Sequence, residues 1–191
     1  MGMGEPLLNY RNVLGAIDKI TSPDGLGMSA KRITVSTAGI AKAIRRLADD
    51  EVKFNLALSL HAAIESKRSQ IMAINETNTL EILMDALDYF YQKTGNKITF
   101  EYILFKGFND TKEDVRALAA LCTRFPVKVN IIVYNSIDDA EFTKSSAKTT
   151  QEFQDFLKYK GVQSQVRQSR GEDIDAACGQ LANKNKAALK D

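Results

Sequence analysis

Cysteine and histidine are scarce in this sequence, and their scarcity excludes several kinds of metal site. The chain contains two cysteines, one histidine and no tryptophan. Cys122 and Cys178 lie far apart, without the spacing of a zinc site or of a disulfide framework. A lone histidine, His61, cannot form a multi-histidine metal site. We therefore expect no metal ligands in this chain, and a reducing, cytoplasmic location.

Long apolar runs and an excess of one charge sign are also missing. No apolar run approaches the roughly 20 residues of a membrane-spanning helix, and the first ten residues, MGMGEPLLNY, lack the cationic start and apolar core of a signal peptide. The 26 basic and 24 acidic residues nearly cancel, so net charge does not favour nucleic acid as a partner. Apolar residues at 44% and charged residues at 26% are typical of a folded globular domain.

Strand-like and helix-like segments alternate along the chain. The predicted strands cover residues 32–37, 53–60, 97–105, 127–133 and 163–169. The predicted helices cover residues 10–20, 40–47, 80–94, 111–124 and 149–161, with a shorter helical turn at 66–72. Thr111 with Asp114, and Thr149 with Glu152, have the spacing of helix capping boxes. Repeated strand–helix units predict an α/β fold with a parallel sheet.

The faces of the predicted strands favour one of two parallel-sheet architectures. An open doubly wound sheet and a β/α barrel both fit the order of elements, but the former has strands that are apolar on both faces. Here one face carries small or polar residues, including Ser36, Ser59, Glu101 and Asn130. Such a face favours a barrel with a polar lumen. In barrels the functional residues lie where the strands end, at their carboxyl ends.

Three motifs at predicted strand ends could bind a ligand, and each has an ordinary structural alternative. Gly4 and Glu5 in GMGEP could bring main-chain N–H groups and a carboxylate to a ligand, or could form a plain turn. Ser36 and Thr37 in STAG could accompany a bound anion, or could simply cap the next helix. His61 could contact a ligand, act as a base, or hold a strand end.

Two further positions carry polar or nucleophilic groups. Glu101 lies mid-strand on the polar face, where it would pair with a lumen cation such as Lys128 or Arg32, or contact a ligand. Cys178 lies in RGEDIDAACGQL between small residues that leave its sulfur accessible, although a chance cysteine is the ordinary alternative. Cys122 falls on the apolar face of a predicted helix and is expected to pack in the core.

Seven motifs, taken in order, resemble one family. They are GMGEPLLNY, RITVSTAGI, LALSLHA with Arg68 and the IN of residues 74–75, TFEYIL, GFNDT, VNIIVYN and RGEDIDAACGQL. Together they resemble the radical-SAM RNA adenine methyltransferases of the RlmN/Cfr type, from Met1 to about Leu181. The last motif is more similar to the branch that methylates adenine C2 in 23S rRNA and some tRNAs than to the branch that acts at C8.

The resemblance implies a fold and a division of the chain. Family members contain a partial, TIM-like (β/α) barrel in which GMGEP ends the second strand. We therefore expect a C-terminal fragment, truncated at its N-terminal strands and lacking the CxxxCxxC motif that binds the [4Fe–4S] cluster. Residues 1–181 would be barrel with a methyl-carrier loop, and residues 182–191 a polar tail.

The resemblance also implies site residues and partners. Gly4 and Glu5 would hold the amino group of S-adenosyl-L-methionine, and Cys178 would carry the methyl group as S-methylcysteine. The other residues expected to line the cofactor site are Ser36, Ser59, Leu60, His61 and Asn135. The full-length parent would contain the cluster and act on rRNA and tRNA. The fragment alone would be inactive and would associate with other copies through exposed strand edges.

Two other interpretations remain open at this stage. The chain could be a non-catalytic barrel remnant that binds neither cofactor nor RNA. It could also be an unrelated barrel aldolase or isomerase, for which Lys128 would be a poor single candidate for the base.

Overall fold

A computed structural model describes residues 4–134 and 142–167. These residues form six α-helices and five β-strands, joined by short 3-10 turns at Pro6–Asn9, Ala30–Arg32 and Ala73–Glu76. In chain order the elements are α1 (Tyr10–Thr21), β1 (Thr34–Thr37), α2 (Ala41–Asp49), β2 (Asn55–Ser59), α3 (Glu65–Ile71), α4 (Leu80–Thr94), β3 (Ile98–Leu104), α5 (Lys112–Leu121), β4 (Val127–Val133), α6 (Ala147–Tyr159) and β5 (Gln163–Arg167).

The five strands form one parallel sheet whose spatial order is the order of the chain, β1-β2-β3-β4-β5. A doubly wound sheet reverses direction at a switch point, whereas this sheet does not. Sequential parallel strands with helical crossovers are the arrangement of a β/α barrel. The predicted α/β class and the partial TIM-like barrel are therefore confirmed.

The core lies between the sheet and the helices, and the sequence of β3 shows why. Ile98, Phe100, Tyr102 and Leu104 alternate with more exposed residues and are all buried, because successive strand residues point to opposite faces. Helix α4 buries its apolar stripe in the same core, and Leu83, Leu87 and Phe90 on that stripe are fully inaccessible to solvent. No helix in residues 4–134 or 142–167 is long and apolar enough to cross a membrane.

The opposite face of the sheet carries the polar residues. One register row joins Ser59, Glu101, Asn130 and Gln165 across four strands. Glu101 accepts a hydrogen bond from Asn130 Nδ2 at 2.7 Å and lies 3.5 Å from Arg167. The expected pairing of this carboxylate with Lys128 or Arg32 is therefore wrong. Lys128 Nζ instead donates to Gln165 Oε1 at 2.7 Å.

One of the two capping boxes predicted from the sequence is present at a helix start, and the other is not. Thr111 and Asp114 form the predicted capping box at the start of α5, with both reciprocal bonds present. Helix α6 was expected to open at Thr149, but its N-cap is Ser146, which accepts from the Thr149 N–H at 3.0 Å. The prediction is wrong because Thr149 is itself the third residue of the capped turn.

Candidate functional site

The carboxyl ends of β1 and β2 bring together polar groups from three segments. The 3-10 turn at Pro6–Asn9 lies against β1, so the segment around Glu5 reaches the strand end. Gly4 precedes it with φ 103°, a backbone conformation that side chains rarely adopt. Ser36 and Ser59 lie half-buried on the polar face of the neighbouring strands.

Glu5 fixes this corner of the sheet through its carboxylate. Oε1 accepts from the Leu7 N–H at 3.0 Å and from the Thr37 hydroxyl at 2.7 Å. Oε2 accepts from the Ala38 N–H at 2.6 Å. Two carboxylate oxygens offer about four acceptor positions, and three are used here, so the group retains capacity for one further donor such as an ammonium.

The turn after β1 requires a glycine. Gly39 has φ 107°, and a Cβ there would lie 2.9 Å from methyl carbons of Leu58 and Leu83. The Gly39 N–H donates to the Thr37 hydroxyl at 3.0 Å. One of the two interpretations of Ser36 and Thr37 was that they cap the following helix, but the N-cap of α2 is Ile40, and the Ala41 N–H donates to Asn78 Oδ1 at 2.8 Å. That expectation is wrong because the hydroxyl of Thr37 is already used within the turn.

His61 lies just beyond β2 with φ 56° and a half-buried residue surface. Its Nδ1 accepts a hydrogen bond from the Ile103 N–H at 3.3 Å, so Nδ1 carries no proton and the neutral ring has its proton on Nε2. Burial, followed by the charge of Arg68, lowers the pKa of His61 to about 4. At neutral pH the ring is therefore an uncharged Nε2–H donor.

Asn109 connects His61, just beyond β2, to the end of the neighbouring strand β3. It is fully buried, and its Nδ2 donates to the carbonyls of His61 at 2.6 Å and Ile103 at 2.7 Å. Its Oδ1 accepts from the Phe105 N–H at 2.7 Å. The sequence singled out this residue only as part of GFNDT. Its role requires knowing that residues 61 and 109 are neighbours in space.

Arg68 is a second buried residue whose role the sequence did not reveal. Its side chain extends from α3 to the ends of β1 and β2 and is fully inaccessible to solvent. Nε donates to the Leu60 carbonyl at 3.3 Å and Nη2 to the Ala38 carbonyl at 2.8 Å. Nη1 donates to Asn75 Oδ1. Burial lowers the pKa of Arg68 to about 10, opposed by the charge of Glu65.

The remaining predicted site residues are placed differently. The side chain of Leu60 is packed in the core, with no exposed surface, so any cofactor contact it makes would use its main chain. Its N–H already donates to the Glu101 carbonyl at 3.0 Å. Asn135 and Cys178 lie outside the described residues. Gly4, Glu5, Ser36, Ser59 and His61 are all at the carboxyl end of the sheet.

The cysteines do not provide a cluster site. Residues 4–134 and 142–167 contain no group of three or more side chains that could hold a metal ion. A CxxxCxxC loop needs three cysteines, and the whole sequence has two. Cys122 packs against the core as predicted, and burial raises the pKa of its thiol to about 12, which leaves it unreactive near neutral pH.

Several curated proteins similar to this chain carry the same name. No protein-family model matches. A probable dual-specificity RNA methyltransferase RlmN from Christiangramia forsetii is 57% identical over 97% of this chain and 53% of its own length. Proteins of the same name from Salinibacter ruber and Clostridium perfringens are 50% and 44% identical, over 98% and 95% of this chain. The chain spans about half the length of the curated relatives it matches.

Solved structures agree with these relatives. A radical SAM methyltransferase from Sphaerobacter thermophilus superposes with a TM-score of 0.90 at 37% identity, over 94% of this chain and 53% of that protein. A domain of a pyruvate-formate lyase-activating enzyme from Bacteroides vulgatus reaches 0.68 at 13% identity, which shows a shared fold alone. By sequence and by fold, the chain is similar to RlmN-type radical SAM methyltransferases, and it spans about half the length of the relatives it matches.

Proposed function

We propose that this chain forms the half of an RNA methyltransferase that binds most of S-adenosyl-L-methionine and carries the methyl group to adenine C2. The observation that carries the proposal is the juxtaposition at the ends of β1 and β2. A carboxylate with remaining acceptor capacity, Glu5, and a neutral Nε2–H donor, His61, lie at the ends of neighbouring strands. An amino acid moiety needs both an acceptor for its ammonium and donors for its oxygens.

The chain's own residues would bind and orient the cofactor. Glu5 would accept from its ammonium, with Gly4 leaving the approach open, since a Cβ there meets nothing within 4 Å. His61 would donate from Nε2 to a cofactor oxygen or nitrogen. Ser36 and Ser59 would supply hydroxyls along the polar face, and Leu60 and Asn135 would complete the lining. When bound, S-adenosyl-L-methionine supplies an activated methyl group.

Cys178 would be the methyl carrier. A thiolate is a good nucleophile towards a sulfonium methyl, so the Cys178 sulfur would accept the methyl carbon that bound S-adenosyl-L-methionine would supply, with S-adenosylhomocysteine as the leaving group. The small residues beside it in DAACGQ would leave that sulfur accessible. The target adenine must leave its stack to approach it. The second stage of transfer would need a [4Fe–4S] cluster, for which this chain lacks the cysteines.

The other partners follow from the same proposal. The full-length protein would act on rRNA and tRNA in the cytoplasm. Residues 1–181 would form the barrel portion with the carrier loop, and residues 182–191 a polar tail. Strand β1 is at one edge of the sheet, and edge strands tend to pair with other chains. The chain alone would therefore associate with itself, whereas a strict monomer by light scattering over a range of concentrations would count against this part.

A loss-of-function experiment separates the proposal from a non-catalytic remnant. The chain alone should bind S-adenosyl-L-methionine by calorimetry but should not methylate RNA, even after treatment with iron, sulfide and reductant. Glu5→Gln should weaken binding, because an amide offers one acceptor atom instead of two. Asp24→Asn, on the exposed segment after α1, is the matched control. No binding by the wild-type chain would favour the remnant interpretation.

The third interpretation, a barrel aldolase or isomerase, gains no support from the described residues. Its candidate base, Lys128, donates a hydrogen bond to Gln165 and lies near the amino end of β4, whereas the site lies at the carboxyl ends of the strands.

A further inference from the structure

Arg68 connects the two strand ends that carry the proposed cofactor contacts. On one side its Nη2 binds the Ala38 carbonyl at 2.8 Å, and the N–H of the same residue binds Glu5 Oε2 at 2.6 Å. On the other side it reaches the carbonyls of Ser59 at 3.5 Å and Leu60 at 3.3 Å. One guanidinium therefore links the segment that holds Glu5 to the segment that leads into His61.

Among residues 4–134 and 142–167, no carboxylate forms an ion pair with this buried charge. Its side-chain partner is Asn75, whose Nδ2 donates to Glu65 Oε1 and to Ser69 Oγ at 2.8 Å. Glu65 is anchored in turn by the Leu80 N–H, which donates to Oε2 at 2.8 Å. Burying a cation is costly unless hydrogen bonds compensate it, and here the carbonyls at two strand ends provide that compensation. The network therefore fixes the geometry of those carbonyls as well as the arginine.

We propose that Arg68 is a positioning residue that holds the carboxyl ends of β1 and β2 at the separation at which Glu5 and His61 can contact the same cofactor molecule. The inference rests on the proposed function for the cofactor, but the positional effect can be measured without it. Lysine cannot replace arginine here, because one ammonium cannot reach Asn75 and carbonyls on two strands in the planar fork that arginine provides.

Lys67 offers a matched control on the same helix. Its Nζ binds both oxygens of Asp114, at 2.7 and 2.9 Å, and Asp114 is fully buried at the start of α5. Lys67→Met therefore breaks a largely buried ion pair beside Arg68 without touching the strand-end carbonyls. Both variants should lower the free energy of unfolding, so stability alone cannot distinguish a positioning role from a structural one.

The experiment compares Arg68→Lys, Lys67→Met and the wild-type chain by NMR hydrogen exchange and by calorimetry with S-adenosyl-L-methionine. Under conditions where each variant is folded, Arg68→Lys should speed exchange of the Ala38 amide about tenfold or more, with little change at Val129 and Ile131 in the sheet centre. It should also raise the Kd by about tenfold, the scale on which supporting residues act at binding sites. Lys67→Met should leave both quantities within about twofold of the wild type.

Each outcome decides between the alternatives. Unchanged exchange at Ala38 in a folded Arg68→Lys protein would overturn the positioning role. Equal effects of Arg68→Lys and Lys67→Met on exchange and affinity would also overturn it, since general destabilisation would then explain both. A wild-type chain that does not bind S-adenosyl-L-methionine would instead overturn the proposed function, and the exchange rates would still decide the role of Arg68. If Arg68→Lys does not fold, Asn75→Ala, which removes the acceptor for Nη1 and leaves the guanidinium in place, is the second variant: faster Ala38 exchange than in the wild type is expected, and unchanged exchange would overturn the role.

Discussion

Replacing Asn109 with leucine should lower the free energy of unfolding by more than is usual for a single substitution. Its amide satisfies three main-chain groups, the carbonyls of His61 and Ile103 and the N–H of Phe105, at 2.6 to 2.7 Å. Leucine has the same number of side-chain heavy atoms and the same branching but no polar atoms, so these groups would lose their partner in a fully buried position. Each unsatisfied buried group costs about 1–3 kcal/mol, and local relaxation recovers part of the sum. We expect a loss of about 3–5 kcal/mol in the free energy of unfolding.

Urea unfolding followed by circular dichroism measures this loss, provided that the m-value is unchanged. Asn12→Ala is the control, because Asn12 is exposed and bonds only a neighbouring side chain, Asn9, among the contacts described. Its effect should stay within about 0.5 kcal/mol. A loss below about 1 kcal/mol for Asn109→Leu, with the fold intact, would refute the assignment of Asn109 as the link between the ends of β2 and β3.

Three further predictions test the site and the core. Gly39→Ala should cost about 1–3 kcal/mol in thermal unfolding, because φ is 107° and a Cβ would lie 2.9 Å from two leucine side chains; Gly107→Ala, with nothing within 4 Å, should cost less. The pKa of His61 is lowered from 6.5 to about 4 in the folded chain. Between these two pH values the unfolded chain therefore binds a proton on His61 that the folded chain does not bind, which favours unfolding. Stability should therefore drop by about 3 kcal/mol between pH 6.5 and 4, and His61→Gln should remove most of this part of the pH dependence. Cys122→Ala should cost about 1–2 kcal/mol and leave binding of S-adenosyl-L-methionine unchanged by calorimetry.

The fold was accessible from the sequence because its signals are local. Alternation of apolar residues identifies strands such as β3, and helical spacing identifies α4. The polar face of the strands distinguished a barrel from a doubly wound sheet, and the sequential strand order agrees with that choice. Local signals failed where two of them competed, as at the start of α6, where Ser146 rather than Thr149 caps the helix.

The supporting network of the site was not accessible in the same way, because its bonds join distant parts of the chain. Glu5 was selected as a ligand contact, but its bonds to Thr37 and Ala38 depend on the 3-10 turn packing against β1. Arg68 lies in a segment that looks like an ordinary polar helical turn, yet its side chain is fully buried. Glu101 was correctly placed on the polar face, but its partner Arg167 could be named only once β4 and β5 were known to be neighbours.

The central proposal is that this chain would carry the methyl group on Cys178 as part of an RNA adenine methyltransferase. The most direct test fuses this chain to the missing half of the Christiangramia forsetii relative, that is, to the part of the relative that this chain does not span. The two proteins are 57% identical where they align. After anaerobic reconstitution, mass spectrometry should find 2-methyladenosine in 23S rRNA and an added methyl group on the peptide containing Cys178. Cys178→Ala should abolish RNA methylation, whereas Cys122→Ala should retain it. RNA methylation that persists in Cys178→Ala, or a methyl group found on another residue, would contradict the account.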